Sequence, residues 1–112
     1  MKRTLLLANL ILSAAFLATA QKTPESMLGA AMHQEEVQGP LDARTVRLVK
    51  LAVAMGAYRQ GAVQSAVRKA LQAGVTREEL EQVVALGVST LGMPSSVAVF
   101  TWVQAILDQA EG

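Results

Sequence analysis

Apolar residues recur along this chain at intervals of three and four, and the breaks between runs fall at proline, glycine and small polar residues. Thr23-Pro24-Glu25 has the form of an N-cap, a proline at the first helical position and an acidic first turn. A helix is therefore expected to open there and to stop at Gly39-Pro40. Asp42 is placed to cap a second helix, in which Leu48, Val49, Leu51, Ala52, Val53, Ala54 and Met55 cover most of the circumference between Leu41 and Ala57. Such a helix is expected to be buried on more than one side. Its only charged strip is Arg44, Arg47 and Lys50.

A third helix is expected from Tyr58 to Ala73, ended by Gly74, whose missing Cβ suits the left-handed position after a helix. Thr76-Arg77-Glu78-Glu79 fits a capping box. It would open a fourth helix with Leu80, Val83, Val84, Gly87, Val88 and Leu91 on one face, stopping at Gly92. Pro94 starts a last helix, running to about Ala110 and carrying Val99, Trp102, Val103, Ile106 and Leu107. No segment alternates with a period of two, so the prediction is an all-α fold of about five helices with no sheet.

The first twenty residues stand apart. Lys2 and Arg3 form a positive start, an apolar run follows from Leu5 to Leu17, and Ala18-Thr19-Ala20 supplies the small residues that signal peptidase accepts. Residues 1–20 are thus expected to be a signal peptide, 21–40 an N-terminal helix and 41–110 the main helical domain. Cleavage after Ala20 would leave Gln21 first and export the protein, to the periplasm or outside the cell. The apolar run is shorter than the roughly 20 residues a spanning helix needs, so a retained anchor is the weaker alternative and no stable membrane insertion is expected after cleavage.

Composition narrows the chemistry. The 112 residues include 10 Lys+Arg, 9 Asp+Glu, one His and no Cys. Losing Lys2 and Arg3 with the signal takes the net charge from +1 to −1. No disulfide, thiol nucleophile or zinc-thiolate site is available, and the near-neutral balance lacks the basic footprint of nucleic-acid binding. A small exported domain without disulfides must be held by helix packing, by self-association, or by both.

On the third helix, Arg59, Ala62, Val63, Ala66, Val67, Ala70 and Leu71 fall on one stripe, and Arg59 is its odd member. Its guanidinium must snorkel to water or find an anion. The run Leu41-Asp42-Ala43-Arg44-Thr45, the apolar helix from Leu48 to Met55, the segment from Ala70 through Gly74-Val75-Thr76-Arg77-Glu78-Glu79 to Leu80, and Gly92-Met93-Pro94 together resemble the carboxymuconolactone decarboxylase and alkyl hydroperoxidase D superfamily. The resemblance covers residues 41 to about 107. It implies an alkyl hydroperoxidase D-like helical domain that assembles as a homo-oligomer, trimeric or hexameric, with the third helix near a subunit interface.

The resemblance also marks what is missing. The peroxidase branch carries Cys-x-x-Cys with a His four residues on, and those positions correspond to Arg59, Ala62 and Ala66. Its proton-relay Glu corresponds to Arg47. The lactone decarboxylase branch has Glu at the second Cys position and keeps the His, and both are alanine here. Peroxide reduction needs a thiolate or an equivalent redox centre, and decarboxylation needs a group that titrates near neutrality. Alanine offers neither.

No catalytic residue, cofactor or metal is therefore expected. The leading expectation is an oligomeric scaffold or a binder of a small anionic or apolar ligand, with Arg47, Arg59 and the Tyr58 hydroxyl as candidate ligand-binding groups. The bland alternative leaves each arginine solvated or pairs it with an acid such as Glu78 or Glu81, and makes Tyr58 a buried ring. A divergent lactone decarboxylase or peroxidase would need a relocated site, with Arg47 and Arg59 as stabilisers and His33 as base. A subunit whose partner supplies the chemistry is a third possibility. Gln64 and Ser65 are expected at solvent or a subunit contact, the methionines and Trp102 in packing, and Glu78-Glu79-Glu81 as the acidic complement of a helix dipole.

Overall fold

The computed structural model describes residues 23–33 and 37–111. The expected signal peptide over residues 1–20, its cleavage point and the Gln34-Glu35-Glu36 stretch lie outside the described residues. The chain divides after Pro40 into two units. In the first, helix α1 spans Pro24–Met32, with the Thr23 side chain accepting a hydrogen bond from the Ser26 amide at 3.3 Å and proline in the first turn. It ends at His33, short of Gly39-Pro40. No residue of α1 is buried, and a short helix without a covered face has only its propensity to extend it.

The second unit holds α2 (Ala43–Gly56), α3 (Gln60–Gln72), α4 (Arg77–Leu86), the single turn α5 (Val88–Leu91) and α6 (Met93–Glu111). Among the described residues there is no strand, so the fold is all-α as the periodicity predicts. Leu51 and Met55 of α2, Val63 and Val67 of α3, Leu80 and Val84 of α4, and Val99, Val103, Ile106 and Leu107 of α6 close one core. The fourth helix does not run through to Leu91. It breaks at Gly87, where a Cβ would come within 2.9 Å of the Met55 side chain, so α2 approaches the α4–α5 junction because that position is bare.

Two helix ends share one hydrogen-bond pattern. After α3, the Val75 amide donates to the Ala70 carbonyl and Gly74 to Leu71, with Gly74 left-handed at φ 86°. After α2, Arg59 donates to Ala54 and Tyr58 to Met55, with Tyr58 left-handed at φ 56°. Both are Schellman ends, one on the expected glycine and one on an aromatic residue. The third helix accordingly begins at Gln60, not at Tyr58. A left-handed non-glycine residue costs about 1–2 kcal/mol, and the Tyr58 ring offsets some of this by packing on Trp102, with centroids 4.9 Å apart at 52°.

Polar clips hold the helix ends. Asp42 accepts from the Thr45 amide at 2.7 Å and caps α2. Thr76 and Glu79 form the expected capping box, and Glu79 also accepts from Arg44, joining the first turn of α2 to α4. Arg77 donates to Glu81 at 2.9 Å and Gln104 at 2.6 Å and pairs with Glu111 at 2.7 Å, tying the start of α4 to the end of α6.

Two predictions follow from these ends. Arg44, then the Thr76 amide and hydroxyl, hold the Glu79 carboxyl at about 2 instead of its ordinary 4.5. A lowered folded value stabilises the fold above the unfolded value, and that contribution is lost as pH falls from about 4.5 through about 2. Urea midpoints measured across this window should fall more steeply for the wild type than for Glu79→Gln; parallel curves would remove the clip. At the α2 end, Tyr58→Ala keeps the left-handed strain and loses the ring, whereas Tyr58→Gly loses both. Tyr58→Ala should be less stable than Tyr58→Gly by about 1 kcal/mol in urea denaturation, and the reverse order would contradict the Schellman end.

Candidate functional site

Because the chain reverses through Ala57-Tyr58-Arg59, α2 and α3 form a helical hairpin that presents one stripe from each helix to a common cleft. From α2 and its end come Arg47, Lys50, Val53, Ala54 and Ala57; from α3 and its cap come Arg59, Ala62, Ser65, Ala66 and Lys69. Both stripes have the spacing i, i+3, i+6, i+7, i+10, which is one face of a helix. The cleft encloses about 400 Å³, within the range of small-ligand sites. On the opposite side of the hairpin, Leu51, Met55, Val63 and Val67 enter the core, so the cleft walls are anchored by packing.

Apart from the exposed Arg68, which lies outside the cleft, the cations of this unit divide into two groups. Arg44 and Arg77 take up Glu79, Glu81, Asp108 and Glu111. Arg47, Lys50, Arg59 and Lys69 have no ion-pair partner among the described residues, and no carboxylate lines their cleft. The bland pairing of Arg47 or Arg59 with Glu81 is therefore not found, because Glu81 is held by Arg77. Arg59 is the N-cap of α3 but makes no side-chain capping bond, which leaves its guanidinium for the cleft. A near-neutral net charge conceals this segregation.

The structure thus places Arg47 and Arg59 at opposite ends of one cleft and leaves Tyr58 out of it. Tyr58 does not line the cleft, because its left-handed backbone turns the ring to Trp102; nor is it buried, being 47 % exposed. Lys50, Ser65 and Lys69 are cleft residues that sequence reasoning missed. The signal was present in the spacing: Lys50 lies three residues after Arg47, and Lys69 ten after Arg59 on the Ala62–Ala66 stripe. Ser65, expected at solvent or a subunit contact, lines the cleft instead. Gln64 is half-buried and donates to the Trp102 carbonyl at 3.4 Å.

Chemically, the cleft offers guanidinium, ammonium and hydroxyl donors above walls of Val53, Ala54, Ala62 and Ala66. These groups bind and orient anions. Among the lining residues there is no carboxylate, imidazole or thiol to carry a proton near neutrality. His33, the only histidine, belongs to the first unit. Among the described residues no group of His, Asp or Glu is arranged to hold a metal ion.

A second concavity, about 380 Å³, lies on the other flank of α2 between Leu48, Val49, Ala52, Val83, Leu86 and Leu91. It corrects the expectation that α2 is buried on more than one side. Only Leu51, Ala54 and Met55 of α2 are buried, whereas Val49 and Val53 remain 45 % and 66 % exposed. Within one chain, α4 and α3 cover only one face of this helix, and its remaining apolar surface is left open.

Comparison with known proteins gives one result. The model of the carboxymuconolactone decarboxylase family matches residues 18–105, a stretch that takes in the cleft and reaches to the N-terminal side of Leu41. No curated protein and no solved structure matches the chain.

Proposed function

Starting from a chain that belongs to the carboxymuconolactone decarboxylase family, we propose that it binds a small organic anion in the cleft between α2 and α3 and lacks the family's thiol and acid–base chemistry. The observation that carries this reading is the set of four cations, Arg47, Lys50, Arg59 and Lys69, without an ion-pair partner among the described residues, around one apolar-walled cleft. The positions that the family resemblance gives to the two thiols and the base are Arg59, Ala62 and Ala66, and all three line that cleft. The relay position is Arg47, also in the cleft. Exchange of acidic and nucleophilic groups for guanidinium and methyl turns a site suited to proton transfer into one suited to holding negative charge. A charge-assisted hydrogen bond from such a group contributes about 1.5–3 kcal/mol. The binder acts in the exported compartment, as a mature chain beginning at Gln21.

The exposed face of α2 favours a second element of the proposal: copies of the chain associate through it, as the family resemblance implies. Val49 of α2 and Leu86 of α4, which line the second concavity, are 45 % and 69 % exposed, apolar surface that a partner would take from water. Covering that flank with a second copy completes the burial that the apolar run of α2 anticipates.

Titration of the mature protein with benzoate, followed by amide chemical shifts, should perturb α2 and α3, and Arg47→Ala/Arg59→Ala should weaken binding about tenfold or more. Turnover of hydroperoxide or a muconolactone at an enzyme-like rate, abolished by His33→Ala, would replace this reading with a relocated enzyme. Native mass spectrometry should report an oligomer that Leu86→Glu dissociates while the helical circular dichroism signal is kept. A wild-type monomer would remove the assembly.

A further inference from the structure

The anion cleft is not symmetric, and its polarity restricts the ligand. The two stripes run in opposite directions, so Arg47 and Lys50, in the second turn and the middle of α2, face the C-terminal half of α3, where Lys69 lies in the last turn. The Ser65 hydroxyl, one turn before Lys69, lines the cleft and makes no hydrogen bond among the described residues. Arg59 is ten residues from Lys69, about 15 Å of helical rise, and stands alone at the turn. Between the two ends the walls are Val53, Ala54, Ala62 and Ala66.

Resting on the anion reading above, we infer that the cleft takes a soluble phosphate monoester with a small apolar body. Its head sits at Arg47, Lys50, Lys69 and Ser65, and its body lies along the alanine-lined wall towards Arg59. A carboxylate has one charge and two acceptor oxygens, which a single arginine satisfies in bidentate fashion. Three cations on two helices around it would remain mutually repulsive. A phosphate monoester has three terminal oxygens and close to two charges at neutral pH, its second pKa being about 6, and it matches three cations and one hydroxyl. The short methyl walls suit a ring-sized body and give an acyl chain little to pack against.

The test is calorimetric titration of the mature protein at fixed ionic strength with phenyl phosphate, benzoate and inorganic phosphate. Phenyl phosphate should bind about tenfold tighter than either of the others, and its affinity should rise from pH 5 to pH 7.5 as the second proton leaves, while that of benzoate stays level. Lys69→Ala and Lys50→Ala should abolish the preference for phosphate over carboxylate. Arg68→Ala, an exposed cation outside the cleft, should change neither affinity. Equal affinity for benzoate and phenyl phosphate overturns the inference while the anion site stands; equal affinity for inorganic and phenyl phosphate removes the apolar body. Binding of none of the three overturns the anion reading itself. Capture on phosphatidylcholine vesicles containing phosphatidic acid, without binding of phenyl phosphate, would overturn the soluble source in favour of a lipid headgroup.

Discussion

The reversal of the chain at Tyr58 is the constraint on which the rest of this molecule depends. Two amides, those of Tyr58 and Arg59, fold back onto the Met55 and Ala54 carbonyls, and this is possible because Tyr58 accepts a left-handed backbone. The reversal aligns α2 with α3, sends Leu51, Met55, Val63 and Val67 inward, and leaves Arg47, Lys50, Arg59 and Lys69 around one cleft. A more open turn would scatter those cations over separate surfaces. The aromatic residue at a position that normally takes glycine is held by Trp102, so the long helix α6 supports the geometry of the cleft without lining it.

Charge is sorted by the same packing. Arg44 and Arg77 lie where α4 begins, and they draw the carboxylates of α4 and α6 into clips between helix ends. Those acids are thereby held away from the cleft. What remains at the cleft is positive charge with no internal counter-ion, beside methyl groups that add no competing acceptor. Exposed ion pairs contribute little stability each, so their main consequence here is where they leave the unpaired charge.

The family frame and the site chemistry come apart in this chain. The helical scaffold that the family model matches is kept, and its caps, its hairpin and its core are all in place. On the proposed reading, the positions that the resemblance gives to thiol and imidazole carry arginine and alanine on one helix face. Helix packing tolerates such an exchange because the cleft side of α3 bears no core contact beyond the partly buried Ala66. Chemistry on that face is free to change while Val63, Val67 and Ala70 hold the opposite side.

Local punctuation was readable from the sequence alone. Thr23-Pro24, Asp42, Thr76 with Glu79, Gly74 and Gly92 act within one helical turn, so residue type and spacing suffice to place them. The all-α class also followed from spacing and resemblance, and the same signals mark Arg47 and Arg59 as candidates. Only the tertiary structure decided that Tyr58 is a turn residue, that the fourth helix breaks under Met55, and that Lys50, Ser65 and Lys69 join the cleft. Those outcomes depend on which side chain from another helix stands opposite, and separation along the chain carries no record of that. Helix α2 is the clearest case: outside the strip of Arg44, Arg47 and Lys50 its sequence is apolar over most of the circumference, and only packing shows which part is covered.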